Sequence, residues 1–205
     1  MDVSLVGRVI RMTTPSDVSF PRHHAGRGPV KAVFLVGFMG AGKTSVGSAL
    51  ASSLGWRFVD LDARIVAKTG RTVAEIFQAD GEASFRRLEH EELRLLLAEL
   101  NTANTVASLG GGAWMQSANV AALQEASLPV LFLDAPVEEL WQRCLPEQGM
   151  RPLLQSEADF RRLYEARRAA YEIGTLRVET QGRSVEEVAS YIGLLLGLAG
   201  TNATT

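Results

Sequence analysis

The residues best suited to chemistry lie in one glycine-rich stretch, residues 37–44, with the sequence GFMGAGKT. The stretch fits the pattern G-x-x-x-x-G-K-[ST], in which glycines let successive backbone N–H groups curl around a phosphate. Within such a loop, Lys43 can reach the terminal phosphates of a nucleotide and the Thr44 hydroxyl can ligate Mg²⁺. The sequence therefore predicts a phosphate-binding loop for a nucleoside triphosphate with Mg²⁺.

The segments on either side of the loop support this prediction. Residues 31–36 form a short apolar run typical of a buried strand, and residues 44–54 carry small and apolar side chains at helical spacing. A helix that begins directly after the loop adds its partial positive charge to a phosphate site. The dinucleotide pattern G-x-G-x-x-G is absent because Ser45 replaces its third glycine, which argues against NAD or FAD.

Two carboxylates, Asp60 and Asp62, follow a second strand candidate at residues 57–60. Beside a phosphate-binding loop, the first carboxylate could hold Mg²⁺ directly or through water. The second could orient a substrate hydroxyl or accept its proton. The alternative is that either aspartate caps the next helix.

Two further motifs are compatible with recognition of an anionic ligand. Arg86 and Glu89 are three residues apart in a predicted helix and therefore share a face, and a guanidinium can bind a carboxylate bidentately. Three glycines at residues 110–112 follow a strand candidate and allow a ligand to approach the backbone closely. The alternatives are a solvated helix face and a flexible bend.

From residue 31 onward, strand candidates alternate with helical segments. The strand candidates are residues 31–36, 57–60, 105–109, 129–134 and 176–179. This alternation predicts an α/β fold with a parallel sheet of about five strands and helices on both faces. Ligands of such sheets bind at the carboxyl ends of the strands, where the motifs above should converge.

The length, composition and charge of the chain exclude some classes of protein. The chain has 205 residues, of which 46% are hydrophobic, and this suits one α/β domain. A net charge of −2 argues against a general nucleic-acid surface, and the apolar residues 188–200 are too few to span a bilayer. Cys144 is the single cysteine, so no disulfide can form within the chain, which fits a cytoplasmic protein. We expect no nucleic-acid or membrane partner, and a monomer.

The two ends of the chain differ from the middle. Residues 1–30 show no sustained periodicity, and we expect a disordered N-terminal extension; a transit peptide is the alternative, because arginines outnumber acidic residues there. Residues 31–198 are predicted to form the single domain, followed by a disordered tail at residues 199–205.

Taken in order, these motifs resemble those of the shikimate kinase family. The resemblance rests on five motifs that occur in one order: GFMGAGKT at residues 37–44, DLD at 60–62, the pattern GExxFRxxE at 81–89, GGGA at 110–113, and RPLL at 151–154. It extends from about residue 31 to residue 196. The resemblance implies a P-loop kinase-type fold with a small lid. It also implies ATP-dependent phosphorylation of the 3-hydroxyl of shikimate, in chorismate and aromatic amino-acid biosynthesis.

The resemblance also implies roles at the nucleotide end. ATP and Mg²⁺ are the implied cofactors, with Thr44 and Asp60 serving the metal. Lys43, Asp62 and Arg151 are the implied catalytic residues, and Arg151 belongs to a lid that closes over ATP. The nucleotide would be bound by Gly40, Ala41, Gly42, Lys43, Thr44, Ser45, Arg151 and Arg183. Residues 145–150 lack the basic residues of many relatives, and Arg143 is the nearest substitute.

At the acceptor end, Arg86 and Arg167 would bind the ring carboxylate of shikimate, and Asp62 would face the hydroxyl that receives the phosphate. The implied acceptor-binding residues are Asp62, Arg86, Gly110, Gly111, Gly112 and Arg167, the last lying four residues before Tyr171. Two other functions remain open on the residues alone. One is a kinase for another small hydroxy acid such as gluconate, and the other is a kinase-like ligand sensor, which intact Lys43, Thr44 and Asp62 disfavour.

Overall fold

The computed structural model describes residues 9–10, 30–145 and 156–198. Its strands form one parallel sheet with the spatial order β1-β6-β5-β2-β4-β3. The strands are β1 Val9–Ile10, β2 Ala32–Val36, β3 Arg57–Asp60, β4 Thr105–Ser108, β5 Val130–Asp134 and β6 Leu176–Glu179. Every residue of β2, β4 and β5 is buried, so both faces of the sheet are covered.

Helices connect successive strands from β2 onward, as the alternation of patterns predicted. They are α1 Lys43–Leu54, α2 Leu61–Thr69, α3 Val73–Glu99, α4 Ser117–Glu125, α5 Val137–Cys144, α6 Glu157–Glu172 and α7 Val185–Leu195, with a 3₁₀ turn at Ala113–Met115. The α3 helix begins with a capping box, in which Thr72 and Glu75 satisfy each other's backbone N–H groups. Gly81 interrupts α3 with non-helical torsion angles, so the helix has a kink there.

The predicted α/β class and its five strands are confirmed, and one short strand is added. Val9–Ile10 pairs in parallel with β6 at the edge of the sheet, within the segment for which we expected disorder. The remaining residues before 30, the expected tail from 199 and the predicted lid segment with Arg151 lie outside the described residues.

Buried side chains of the central strands fix the edge of the sheet at which the strands end. Phe34 and Leu35 of β2 and Phe132 of β5 are almost completely buried, and β2 lies between β4 and β5. A second cluster, Ile65, Ile76 and Phe85, fixes α2 against α3. The loops after β2, β3 and β4 therefore lie together at one edge. Within the described ranges, no helix combines the length and apolar character needed to cross a bilayer.

Candidate active site

The glycine-rich loop connects β2 to α1 and forms one wall of the site. Gly42 adopts a left-handed conformation with φ 84° and caps the N-terminus of α1, where a residue with a Cβ would be strained. The Lys43 Nζ atom donates to the carbonyl oxygens of Gly37 at 2.9 Å and Phe38 at 3.0 Å. The ammonium group is thereby held against the loop, where it can meet the phosphates of a nucleotide.

Asp60 lies at the end of β3 beside this loop. Its Oδ2 atom accepts hydrogen bonds from the Thr44 hydroxyl at 2.9 Å and the Ser108 hydroxyl at 2.8 Å. The contact with Ser108 follows from the register of the sheet, in which Asp60 and Ser108 are paired. Its Oδ1 atom accepts from the Ala63 N–H at 3.1 Å and caps α2. The capping role and a position beside Thr44 therefore coexist in one side chain.

The triple glycine leaves room for functional side chains of the protein itself. A Cβ atom on Gly110 would lie 2.7 Å from Asp62 Oδ1 and 2.8 Å from Glu89 Oε1. A Cβ atom on Gly112 would lie 2.6 Å from Arg86 Cζ. Any larger residue would therefore displace the carboxylates or the guanidinium from this wall of the site.

Arg86 is held by both charge and packing. Its guanidinium forms ion pairs with Glu89 at 2.8 Å and with Glu82 at 3.0 Å. Its Cζ atom also lies 5.3 Å from the ring centroid of Phe85 and 5.8 Å from that of Phe77. The side chain is 17% exposed, so a largely desolvated cation faces the site and favours an anionic ligand.

Glu89 places a second carboxylate next to Asp62. Burial raises the pKa of Glu89 to about 7, the ion pair with Arg86 opposes this rise, and the charge of Asp62 adds to it. Oε2 accepts from Gln116 Nε2 at 2.5 Å, whereas Oε1 has no hydrogen-bond partner among the described residues. The buried carboxyl group of Glu89 is therefore protonated more easily than that of an ordinary glutamate.

Helix α6 supplies a second arginine to the site. Arg167 Nη1 donates to the Gly111 carbonyl oxygen at 3.4 Å, and the Tyr171 hydroxyl donates to the same oxygen. The guanidinium is thus held next to the wall formed by the glycines at residues 110–112, here called the glycine wall, on the side of the site that also contains Arg86. Two arginines from different helices therefore face one region.

A cavity of about 730 Å³ joins these groups, a volume within the usual range for small-molecule sites. Nearly all of the residues predicted for the site line it: Gly40, Ala41, Gly42, Lys43, Thr44, Ser45, Asp60, Asp62, Arg86, Gly110, Gly111, Gly112, Arg167 and Arg183. The predicted lid residue Arg151 lies outside the described residues. The cavity has an amide-lined phosphate end and a second end with two carboxylates and two arginines.

Other lining residues were not predicted as part of the site. Arg143 of α5 lines the cavity and donates to the Gly40 carbonyl oxygen at 3.2 Å, where the sequence left its role open. Glu89 was visible only as a partner of Arg86, because its spacing of three residues indicates a shared helix face. Gln116 does not line the cavity but donates to Glu89, and this contact gave no local signal because it spans 27 residues of sequence.

A family model and individual relatives of this chain point to the same protein family. A family model described as shikimate kinase matches residues 39–196. The chain is 37% identical over 164 residues to the shikimate kinase of Persephonella marina, covering 80% of this chain and 97% of that protein. It is 41% identical over 167 residues to the shikimate kinase of Thermus thermophilus, covering 80% and 89%.

A solved structure agrees with the sequence comparisons. The fold is similar to that of a shikimate kinase from Acinetobacter baumannii in complex with shikimate, with a TM-score of 0.74 and 37% identity. The similarity covers 82% of this chain and 94% of that one.

Proposed function

The chain belongs to the shikimate kinase family, and we propose that it transfers the γ-phosphoryl group of ATP to the 3-hydroxyl of shikimate. The product, shikimate 3-phosphate, lies on the route to chorismate and the aromatic amino acids. The observation that carries the proposal is the single cavity in which a phosphate-binding loop meets Asp62 and two arginines. We place the activity in the cytoplasm, in keeping with a chain whose single cysteine cannot form a disulfide within the chain.

The reaction needs positioning more than covalent chemistry. The loop amides and the Lys43 ammonium hold the β- and γ-phosphates and stabilise the charge that develops on the moving group. Asp62 orients the 3-hydroxyl and accepts its proton as that oxygen bonds to the γ-phosphorus. The bond between the γ-phosphorus and the bridging oxygen breaks in the same step, and ADP leaves with that oxygen.

The residues beside the loop fit Mg²⁺. Thr44 Oγ1 and Asp60 Oδ2 lie 2.9 Å apart, and both are the hard oxygen donors that this ion prefers. Proteins usually bind Mg²⁺ through one or two such groups together with substrate phosphates. When bound, the ion would neutralise charge on the β- and γ-oxygens of ATP.

Arg86→Ala is expected to weaken shikimate binding and leave ATP binding close to normal. Each charged hydrogen bond contributes roughly 1.5–3 kcal/mol, so losing one such bond should raise the KM for shikimate by about 10- to 150-fold. Steady-state kinetics with each substrate varied in turn measures the effect.

The adjacent Arg87 is the matched control, because it is exposed and bonds only to Ser84 among the contacts the structure describes. Arg87→Ala should leave both KM values within about twofold of the parent, as for most exposed substitutions. Equal losses of ATP and shikimate binding in Arg86→Ala would instead make that arginine a structural residue.

Shikimate binding should take up protons near pH 7. An incoming carboxylate brings negative charge towards Glu89 and shares Arg86 with it, so the pKa of Glu89, already raised to about 7, must rise further. Affinity should therefore increase as pH falls from 8 towards 6 and then level off. Calorimetry in two buffers with different ionisation heats measures the proton uptake.

Glu89→Gln should abolish this uptake, whereas Glu91→Gln, at an exposed position two residues away, should retain it. Proton release on binding, or uptake that persists in Glu89→Gln, would assign the titration to another group.

The proposed activity is tested by ADP release in a coupled assay, with shikimate and gluconate offered side by side. We expect turnover with shikimate and at most a trace with gluconate, since a carboxylated ring uses both arginines and Asp62 together. Turnover on gluconate alone would assign a different acceptor. Binding without turnover on either would make the chain a ligand sensor.

A further inference from the structure

One buried tyrosine connects the second arginine of the acceptor site to the glycine wall. Tyr171 lies near the end of α6, one helical turn after Arg167, and is 1% exposed. Its ring stacks on Phe132 of β5, with centroids 5.1 Å apart and an interplanar angle of 22°. The ring of this residue is therefore fixed by the core, and its hydroxyl meets the backbone of Gly111, which lines the site.

That hydroxyl contacts two groups predicted to bind the acceptor. It donates to the Gly111 carbonyl oxygen, and it lies close enough to Arg167 for the guanidinium charge to lower its pKa. Arg167 Nη1 also lies 3.4 Å from the Gly111 oxygen. The hydroxyl and the guanidinium therefore meet at one carbonyl oxygen.

We propose that Tyr171 is a positioning residue for the acceptor carboxylate, acting through Arg167 and the Gly111 carbonyl. The proposal rests on the proposed function, since it assigns Arg167 to the carboxylate of shikimate. A free arginine side chain has rotamer entropy, part of which must be lost when it binds a ligand. By fixing the carbonyl oxygen to which Arg167 bonds, the hydroxyl holds the guanidinium in place before the ligand binds, which lowers that cost.

The same hydroxyl also controls the carbonyl oxygen of the glycine wall. A carbonyl oxygen facing a ligand carboxylate would repel it, and donation from Tyr171 both orients that oxygen and offsets its partial charge. Burial raises the pKa of Tyr171 to about 12, with the charge of Arg167 opposing the rise. The hydroxyl therefore remains a donor throughout the working pH range.

The test is Tyr171→Phe, which removes the hydroxyl and keeps the ring in the core. Loss of one hydrogen bond contributing about 0.5–1.5 kcal/mol should raise the KM for shikimate by about 2- to 12-fold. The KM for ATP and kcat should stay within about twofold of the parent. The increase should be the same at pH 6 and pH 8, because the missing donor does not titrate in that range.

Tyr164→Phe is the matched control on the same helix. Tyr164 is also buried, and its hydroxyl bonds to Asp134 at 3.3 Å and to the Ala135 carbonyl at 3.2 Å. Neither Asp134 nor Ala135 lines the cavity, whereas the Tyr171 hydroxyl bonds to Gly111, which does. This variant should lose a similar amount of thermal stability and keep the parent KM for shikimate.

A double-mutant cycle separates positioning from general packing. In an Arg167→Ala background, Tyr171→Phe should raise the KM for shikimate by less than half of its effect in the parent. Additive effects, an unchanged KM in Tyr171→Phe, or equal changes in both tyrosine variants would overturn the inference. If the unmodified enzyme failed to phosphorylate shikimate, the proposed function would fall and the inference with it.

Discussion

Lys43→Ala is expected to lower kcat by about 10²- to 10³-fold or more, because the ammonium group stabilises charge that develops on the transferred phosphoryl group. The structure places this group on the phosphate-binding loop, 2.9 Å from the Gly37 oxygen and 3.0 Å from the Phe38 oxygen. Because the Lys43 ammonium also bonds to two carbonyl oxygens of the loop, its removal should weaken nucleotide binding as well as turnover. Steady-state assays of ADP release measure the loss of turnover, and calorimetric titration with ATP measures the loss of nucleotide affinity.

Lys31→Ala provides the comparison. Lys31 is exposed and precedes β2, at the opposite end of the strand from the loop, so its removal should change neither kcat nor nucleotide affinity. Thermal denaturation should find both variants folded. A Lys43→Ala enzyme with the parent kcat would remove the phosphate-binding loop from the mechanism.

Asp62→Asn is expected to lower kcat by about 10²- to 10⁴-fold, the usual contribution of a general base, with ATP affinity preserved. Asparagine keeps the size of the side chain and can still bond to a hydroxyl, but it cannot accept the proton. The position permits little rearrangement, because a Cβ on Gly110 would already lie 2.7 Å from Asp62 Oδ1. The substitution therefore tests chemistry more than packing.

An exposed aspartate on α3 supplies the control for this variant. Asp80 pairs with Arg71 at 2.6 Å outside the cavity, and Asp80→Asn should leave all kinetic constants within about twofold. If Asp62→Asn raised the KM for shikimate while kcat stayed unchanged, Asp62 would be a binding residue without a role in proton transfer.

Patterns local in sequence predicted most of the fold. The loop at residues 37–44 and the five strand candidates each depend on neighbouring residues, and all are present in the structure. The sixth strand was not expected, because two residues are too few to show a periodicity. Val9–Ile10 is a strand only because the edge of β6 is available to pair with it.

The site was predictable as a set of residues and less so as a set of contacts. Convergence of the loops followed from the parallel sheet, which brings the carboxyl ends of its strands to one edge. The bond between Gln116 and Glu89 could not be foreseen, since it depends on how the 3₁₀ turn packs on α3. Capping and metal binding at Asp60 were treated as alternatives, although its two oxygens can serve different partners.

The identity of the phosphorylated product tests the proposed activity most directly. The enzyme would be incubated with ATP, Mg²⁺ and shikimate, and the product examined by phosphorus–proton correlation NMR. We expect one phosphate ester whose phosphorus couples to the proton on C3, formed in a one-to-one ratio with ADP. ADP formation without a shikimate ester, or an ester at another hydroxyl, would contradict phosphoryl transfer to the oxygen that Asp62 is proposed to face.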